Sequence, residues 1–290
     1  MIPKPHRAGS CLSLGLHGFH RIAFTDWGDS APSRKATVCV HGLTRTGRDF
    51  DGLADALSKY MRVVCPDIPG RGASDWLTHP NDYIYPTYLN DIAAVLAHIG
   101  AERVDWVGTS MGGIIGMMLA AMPNTPIRRL VINDIGPMIP KEALLRISRY
   151  LGGAPSFQDI EALESYLRDV HAPFGDLTDE QWRHLAETSS ERNGEGGLRL
   201  HYDPTIAQVF SAGPIEDIDL WPIWDAITCP VLVLRGAESD LLSTETAAEM
   251  AKRGPGAEIV TIDGCGHAPA LMADDQVQTV VNWLHKSAQS

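Results

Sequence analysis

The chain has 290 residues, 44% of them hydrophobic and 21% charged, with 27 glycines and 19 prolines dispersed along it. That profile excludes disorder, collagen and coiled coil, and the length leaves either two modest domains or one large domain carrying an insertion. With 24 Lys and Arg against 36 Asp and Glu the formal net charge is -12, so neither a nucleic-acid surface, which needs a basic footprint, nor an anionic membrane is an expected partner.

Cys11, Cys39, Cys65, Cys229 and Cys265 are odd in number and form no C-x-x-C pair. Neither a disulfide framework nor a zinc site is indicated, and a reducing compartment fits. Residues 1–7 lead into no apolar signal region, and no run approaches the ~18 apolar residues of a membrane span. The expectation is a soluble cytoplasmic protein.

In chain order, Leu12 to His17 and Arg21 to Trp27 alternate around Gly18 and read as a hairpin leading into the turn Asp26 to Asp29. Six short runs rich in β-branched residues follow: Ala36–Val40, Arg62–Cys65, Val104–Val107, Arg129–Ile132, Val231–Leu234 and Glu258–Ile262. Near-continuous apolar strands of this kind suit a sheet buried on both faces. Helical periods occupy Asp49–Tyr60, Pro86–Ile99, Met111–Met122, Thr244–Lys252 and Asp274–Ser287, with Pro86 in a first turn and Thr244 read as a capped start. Alternating strand and helix predicts an α/β fold, a mostly parallel eight-stranded sheet with helices on both faces.

The alternation stops between Gly136 and about Gly213, where helical patches (Glu142–Leu151, Ile160–Val170, Asp179–Arg192) precede the loop Asn193 to Gly197. The expected organisation is a core of residues 1–136 and 214–290 with an inserted helical cap over 137–213, lacking a core of its own.

Gly108-Thr109-Ser110-Met111-Gly112 directly follows the strand VDWV and directly precedes an apolar helix. A G-x-S-x-G in that context marks a nucleophilic serine on a tight strand-to-helix turn, with small neighbours two residues away on each side. A serine hydroxyl needs a base held by a carboxylate. His267 stands in the loop Asp263 to Pro269 after the last predicted strand, at the sheet edge where open α/β sheets bind ligands. For the acid, Asp240 is placed first, because it follows the penultimate strand and Leu241-Leu242 anchors its loop. Asp134, after Arg129–Ile132, and Glu238 are the rivals. The oxyanion hole is assigned to the backbone N–H of Met111 and of Leu43, in His41-Gly42-Leu43-Thr44.

Trp182, Trp221, Trp224, Met138 and Phe174 are candidates to line an apolar acyl pocket under the cap. His41 is read as a packing residue behind the oxyanion loop and carried with Trp182 and Met138 as a candidate substrate contact. Arg45 and Arg48 are read as solvated surface positions.

His41-Gly42, Asp67-Ile68-Pro69-Gly70-Arg71-Gly72-Ala73-Ser74, Gly108 to Gly113, Asp240 and Gly266-His267 together resemble the α/β-hydrolase fold family over nearly the whole chain. The stretch from Asp67 to Ser74 is similar to the family's D-x-x-G-x-G-x-S loop, whose role there is structural. Haloalkane dehalogenases and epoxide hydrolases carry aspartate at the nucleophile, which Ser110 excludes. Ser-Met-Gly-Gly resembles cofactor-free haloperoxidases and esterases; C–C hydrolases of aromatic ring cleavage often carry Asn where Thr109 stands. The resemblance implies a serine hydrolase acting on a small apolar or aromatic carboxylic ester, with a C–C hydrolase or lactonase as the alternative. No cofactor or metal is expected, and a homodimer is one expected assembly.

Overall fold

A computed structural model describes residues 7–28, 35–151, 153, 155–194, 196–211 and 213–286. Asp29, Glu195 and Ser287, read above as turn, loop and helix-end positions, lie outside them. The main sheet contains β1 (Arg7–Gly15), β2 (Gly18–Trp27), β3 (Lys35–Val40), β4 (Val63–Pro66), β5 (Arg103–Thr109), β6 (Ile127–Asn133), β7 (Val231–Gly236) and β8 (Glu258–Ile262). Their spatial order is β1-β2-β4-β3-β5-β6-β7-β8. β2 pairs antiparallel with β1 and β4, and the remaining pairs are parallel.

Strand periodicity divides the core in two. Val38, Val40, Val104, Trp106, Leu130, Ile132, Val231 and Val233 pack into one cluster, with α2 (Tyr85–Ile99) and α3 (Met111–Ala120). Cys39, Val107, Val131, Leu232 and Leu234 face the other way, against α1 (Asp51–Ser58) and Val280 and Leu284 of the C-terminal helix Asp274–Lys286. Each such burial is worth about 1.5–3 kcal/mol for a large aliphatic side chain, and the buried charges of Asp105 and Arg129 on these strands offset each other as an ion pair. Pro86 sits in the first turn of α2, as predicted, and Gly100 closes that helix in the left-handed conformation at φ 68°. For the helix Thr244–Met250 the cap is one residue earlier than expected: Ser243 Oγ accepts Thr246 N–H at 3.0 Å.

Between β6 and β7 the chain forms α4 (Lys141–Tyr150), α5 (Ile160–Val170) and α6 (Asp179–Thr188), with a small sheet of Ser156–Phe157, Ser190–Arg192 and Leu198–Leu200. Its base is tied by pairing of Met138–Ile139 with Ile218–Asp219, and Leu220 N–H donates to Pro137 O at 2.6 Å. The excursion therefore returns near residue 220 and not at 213. It also has a small apolar cluster, Leu163, Leu167, Trp182, Leu185 and Ala186, which corrects the expectation of no core of its own.

The C-terminal ends of β3, β5, β6 and β7, with the loop after β8, converge beneath this segment. Among the described residues no helix is long and apolar enough to cross a membrane.

Candidate active site

Ser110 occupies the single-residue turn between β5 and α3, at φ 51° and ψ -113°. A positive φ in a non-glycine residue costs on the order of 1–3 kcal/mol and persists only where its surroundings enforce it. Here Ser110 N–H donates to Asn133 O at 3.0 Å, while its carbonyl accepts Gly113 and Ile114 N–H at 2.8 and 3.1 Å. The flanking glycines are required by space: a Cβ at Gly108 would lie 2.2 Å from Gly112 O, and one at Gly112 2.0 Å from Val40 O.

His267 Nε2 is 3.0 Å from Ser110 Oγ, and His267 Nδ1 is 2.8 Å from Asp134 Oδ2. Asp134 directly follows β6, is fully buried, and sits at φ 57°, a left-handed conformation that Asp tolerates. Its Oδ1 accepts Gly236 N–H at 2.8 Å, and its Oδ2 also accepts the Ser239 hydroxyl at 2.6 Å.

Asp240, the acid placed first from sequence, does not reach the histidine. Its side chain is half exposed and paired with Arg146 of α4, at 2.5 and 3.0 Å. The reason is the fold of the loop after β7: Ser239 Oγ accepts Leu241 and Leu242 N–H at 3.2 and 3.0 Å, which turns Ser239 inward and Asp240 outward. Leu241 and Leu242 do anchor the loop, being buried, yet what they aim at the imidazole is a serine-bridged Asp134. Glu238 N–H is held by Cys265 O at 2.9 Å, and no described contact joins its side chain to His267.

Leu43, Ser110 and Met111 line one cavity. A Cβ at Gly42 would be 3.7 Å from Ser110 Cβ, which brings the peptide joining Gly42 to Leu43 against the serine. The carbonyl of that peptide accepts His41 Nδ1–H at 2.7 Å and Arg45 N–H at 3.2 Å, so its N–H is polarised and aimed the opposite way. Among the described residues neither Leu43 N–H nor Met111 N–H donates to a protein acceptor. Two such donors beside a serine hydroxyl are suited to holding a developing oxyanion.

His41 is fully buried and also accepts Ile68 N–H at Nε2, 2.9 Å away. With both ring nitrogens used, it offers no free polar atom to a ligand; burial, aided by Arg71, lowers its pKa to about 4 and keeps it neutral. In the Asp67–Ser74 loop the structural role that the motif implied fits Asp67. Asp67 accepts Gly47 and Ala73 N–H at 2.7 and 2.9 Å, and burial raises its pKa to about 6.

A model described as the alpha/beta hydrolase family matches residues 37–280. The chain belongs to the alpha/beta hydrolase family. It is 46% identical over 279 residues to a 3-hydroxybutyrate-oligomer hydrolase of Cupriavidus necator, covering 93% of this chain and 95% of that protein. It is 30% identical to a 2-(acetamidomethylene)succinate hydrolase of Mesorhizobium japonicum, over 78% of this chain and 79% of that one. Among solved structures, a putative hydrolase from Rickettsia typhi superposes with TM-score 0.91 at 31% identity, covering 97% of this chain and 99% of that one. An alpha/beta hydrolase from Novosphingobium aromaticivorans gives 0.86 at 36%, over 98% and 99%.

In this alpha/beta hydrolase the cavity over Ser110, about 580 Å³, is walled by Tyr83, Tyr85, Tyr88, Ile139, Leu144 and Phe210 among others. The aromatic residues singled out from sequence are elsewhere. Trp182 is buried in the small cluster of the inserted segment, with the Arg168 guanidinium 5.7 Å from its ring. Trp224 is buried and donates to Arg253 O, Trp221 carries Arg253 over its ring, and Met138 is taken up in the strand pair that ties the insertion. Phe174 borders a separate small void with His41 and Arg45. Arg45 is not solvated but buried against Asp49 at 2.7 Å, and Arg48 pairs with buried Asp51. The tyrosines that line this cavity come from the segment 83–88, where only a helix-start signal was legible.

Proposed function

We propose that this protein is a serine hydrolase of carboxylic esters, cleaving short 3-hydroxyalkanoate oligoesters through Ser110, His267 and Asp134. The observation that carries the reading is the continuous hydrogen-bonded relay from Asp134 through His267 to Ser110 Oγ at the mouth of an apolar cavity. The choice of ester is supported by the 46% identity to the Cupriavidus necator enzyme over 93% of this chain.

Ser110 Oγ attacks the ester carbonyl while His267 Nε2 takes its proton, and the carbonyl oxygen becomes an oxyanion between Leu43 N–H and Met111 N–H. Collapse of the intermediate breaks the C–O bond, with His267 returning the proton to the leaving alkoxide. Water, deprotonated by His267, then hydrolyses the acyl-enzyme and releases the carboxylic acid. Asp134 accepts Nδ1–H throughout, which fixes the tautomer that leaves Nε2 free as the base and stabilises the imidazolium. The cavity holds the aliphatic acyl portion, and residues 137–220 act as its cap.

The test is kcat/KM for 3-hydroxybutyrate dimer and trimer beside p-nitrophenyl butyrate, a lactone and a ring-fission diketone, with wild type and Ser110→Ala. Oligomer cleavage that disappears in the variant, together with fluorophosphonate labelling, is the expected result. Undiminished turnover in Ser110→Ala overturns the mechanism; a higher kcat/KM for the lactone or diketone overturns the substrate.

A further inference from the structure

Arg71 is completely buried, in the loop after β4. Its Nε–H donates to Leu43 O at 2.8 Å, and one terminal nitrogen donates to Pro69 O at 2.7 Å and to the Tyr88 hydroxyl at 3.1 Å. The other lies 3.7 Å from Met111 Sδ. The rings of Tyr83 and Tyr88 stand 5.7 and 5.4 Å from the guanidinium carbon. Among the described residues no carboxylate comes within ion-pair distance of it.

Taking a guanidinium out of water is costly, and a buried one is ordinarily offset by a carboxylate. Every partner here is neutral: two carbonyls, a phenol, a thioether and two π faces. No direct ion pair therefore cancels the positive charge, although buried Asp203 accepts the Tyr83 hydroxyl at 2.6 Å nearby, and the guanidinium lies out of water, where a charge acts at range. Its two contacts of consequence, Leu43 and Met111, are the residues whose N–H groups form the oxyanion hole proposed above.

We propose that Arg71 is a positioning residue of ester cleavage: it fixes Leu43 and Met111 from behind, and its unpaired buried charge favours the anionic tetrahedral intermediate over the neutral ester. The proposal rests on the serine mechanism above. The same field is felt by neighbouring groups: Arg71 opposes the rise that burial imposes on the Tyr83 and Tyr85 phenols and adds to the fall that burial imposes on His41. An interaction that strengthens only as charge develops raises kcat without tightening ground-state binding.

The probes are 1,1,1-trifluoro-2-hexanone, which serine converts to an ionised hemiketal, and 2-hexanone, which binds neutral. Trifluoroketone inhibition of wild type that is absent in Ser110→Ala establishes the adduct; if wild type forms none, the serine reading fails and not the role of Arg71. Arg71→Met and Arg71→Gln are expected to weaken the trifluoroketone by at least ~30-fold, with 2-hexanone and KM changed by less than ~3-fold, and Arg71→Lys to restore most of the loss. Equal weakening of both ketones, or a lysine variant as poor as methionine, overturns the proposal in favour of a structural role. Should the neutral variants not fold, Arg71→Lys decides alone. A buried amine loses its proton at alkaline pH where guanidinium does not, so the ratio of variant to wild-type trifluoroketone Ki should rise with pH. A flat ratio overturns the charge effect.

Discussion

Ser239 Oγ and His267 Nδ1 converge on one oxygen, Oδ2 of Asp134, at 2.6 and 2.8 Å. A serine from the loop after β7 thus completes a carboxylate presented by the end of β6, and the imidazole is oriented by two strands at once. Asp134→Asn keeps the shape but allows the wrong histidine tautomer. Its kcat is expected to fall by about three to four orders of magnitude, while Asp240→Asn changes kcat/KM by less than about 3-fold and stability by about 0–1 kcal/mol, as for an exposed ion pair. Steady-state kinetics and denaturant melts of the two variants check this directly; the reverse ranking would return the acid to Asp240.

Ser239→Ala removes a hydrogen bond to a buried carboxylate and the acceptor of two backbone N–H groups. A loss of about 1.5–3 kcal/mol in stability is expected, with kcat reduced about 10-fold as Asp134 loosens. Urea denaturation and kcat on p-nitrophenyl butyrate are the measurements.

His41 has a folded pKa of about 4 against about 6.5 when unfolded. Between these values the unfolded chain binds a proton that the folded one refuses, so the stability from His41 is complete above pH ~6.5 and is lost as pH falls toward ~4. The loss approaches about 3 kcal/mol, at about 1.4 kcal/mol per unit. Asp67, raised to about 6 by burial, works in the opposite sense over an overlapping range, so the total slope of wild type is shallow. The contribution is therefore read as a difference: the stability gap between wild type and His41→Gln should be wide at pH 7 and narrow at pH 4.5. A gap independent of pH would mean that His41 titrates normally.

Leu144, on α4, walls the cavity from the inserted segment. Leu144→Trp shortens that space. Activity on hexanoyl and octanoyl p-nitrophenyl esters should drop at least ~10-fold while the acetyl ester stays within ~3-fold, since each buried methylene is worth about 0.8 kcal/mol. A uniform loss across chain lengths would place the acyl group elsewhere.

How much of this was legible beforehand depended on how local each signal was. The strand ending at Thr109, the elbow at Ser110 and the helix from Met111 are contiguous, and sterics at Gly108 and Gly112 dictate their residue types. His267 was legible because it follows the last strand, at the sheet edge where open α/β sheets bind ligands. The pocket was not, because Trp182 and Tyr85 differ only in what the insertion packs against, and no sequence period reports that.

The sequence by itself determined a sheet buried on both faces, a nucleophile elbow, a terminal histidine and an excursion between β6 and β7, because burial, backbone strain and strand periodicity are written in neighbouring residues. Only the tertiary structure decided which carboxylate serves the imidazole. Asp134, Glu238 and Asp240 all follow strands that end at the site, and the choice turned on the Ser239 hydroxyl gathering Leu241 and Leu242 N–H and pointing at Asp134, which swings Asp240 out to Arg146.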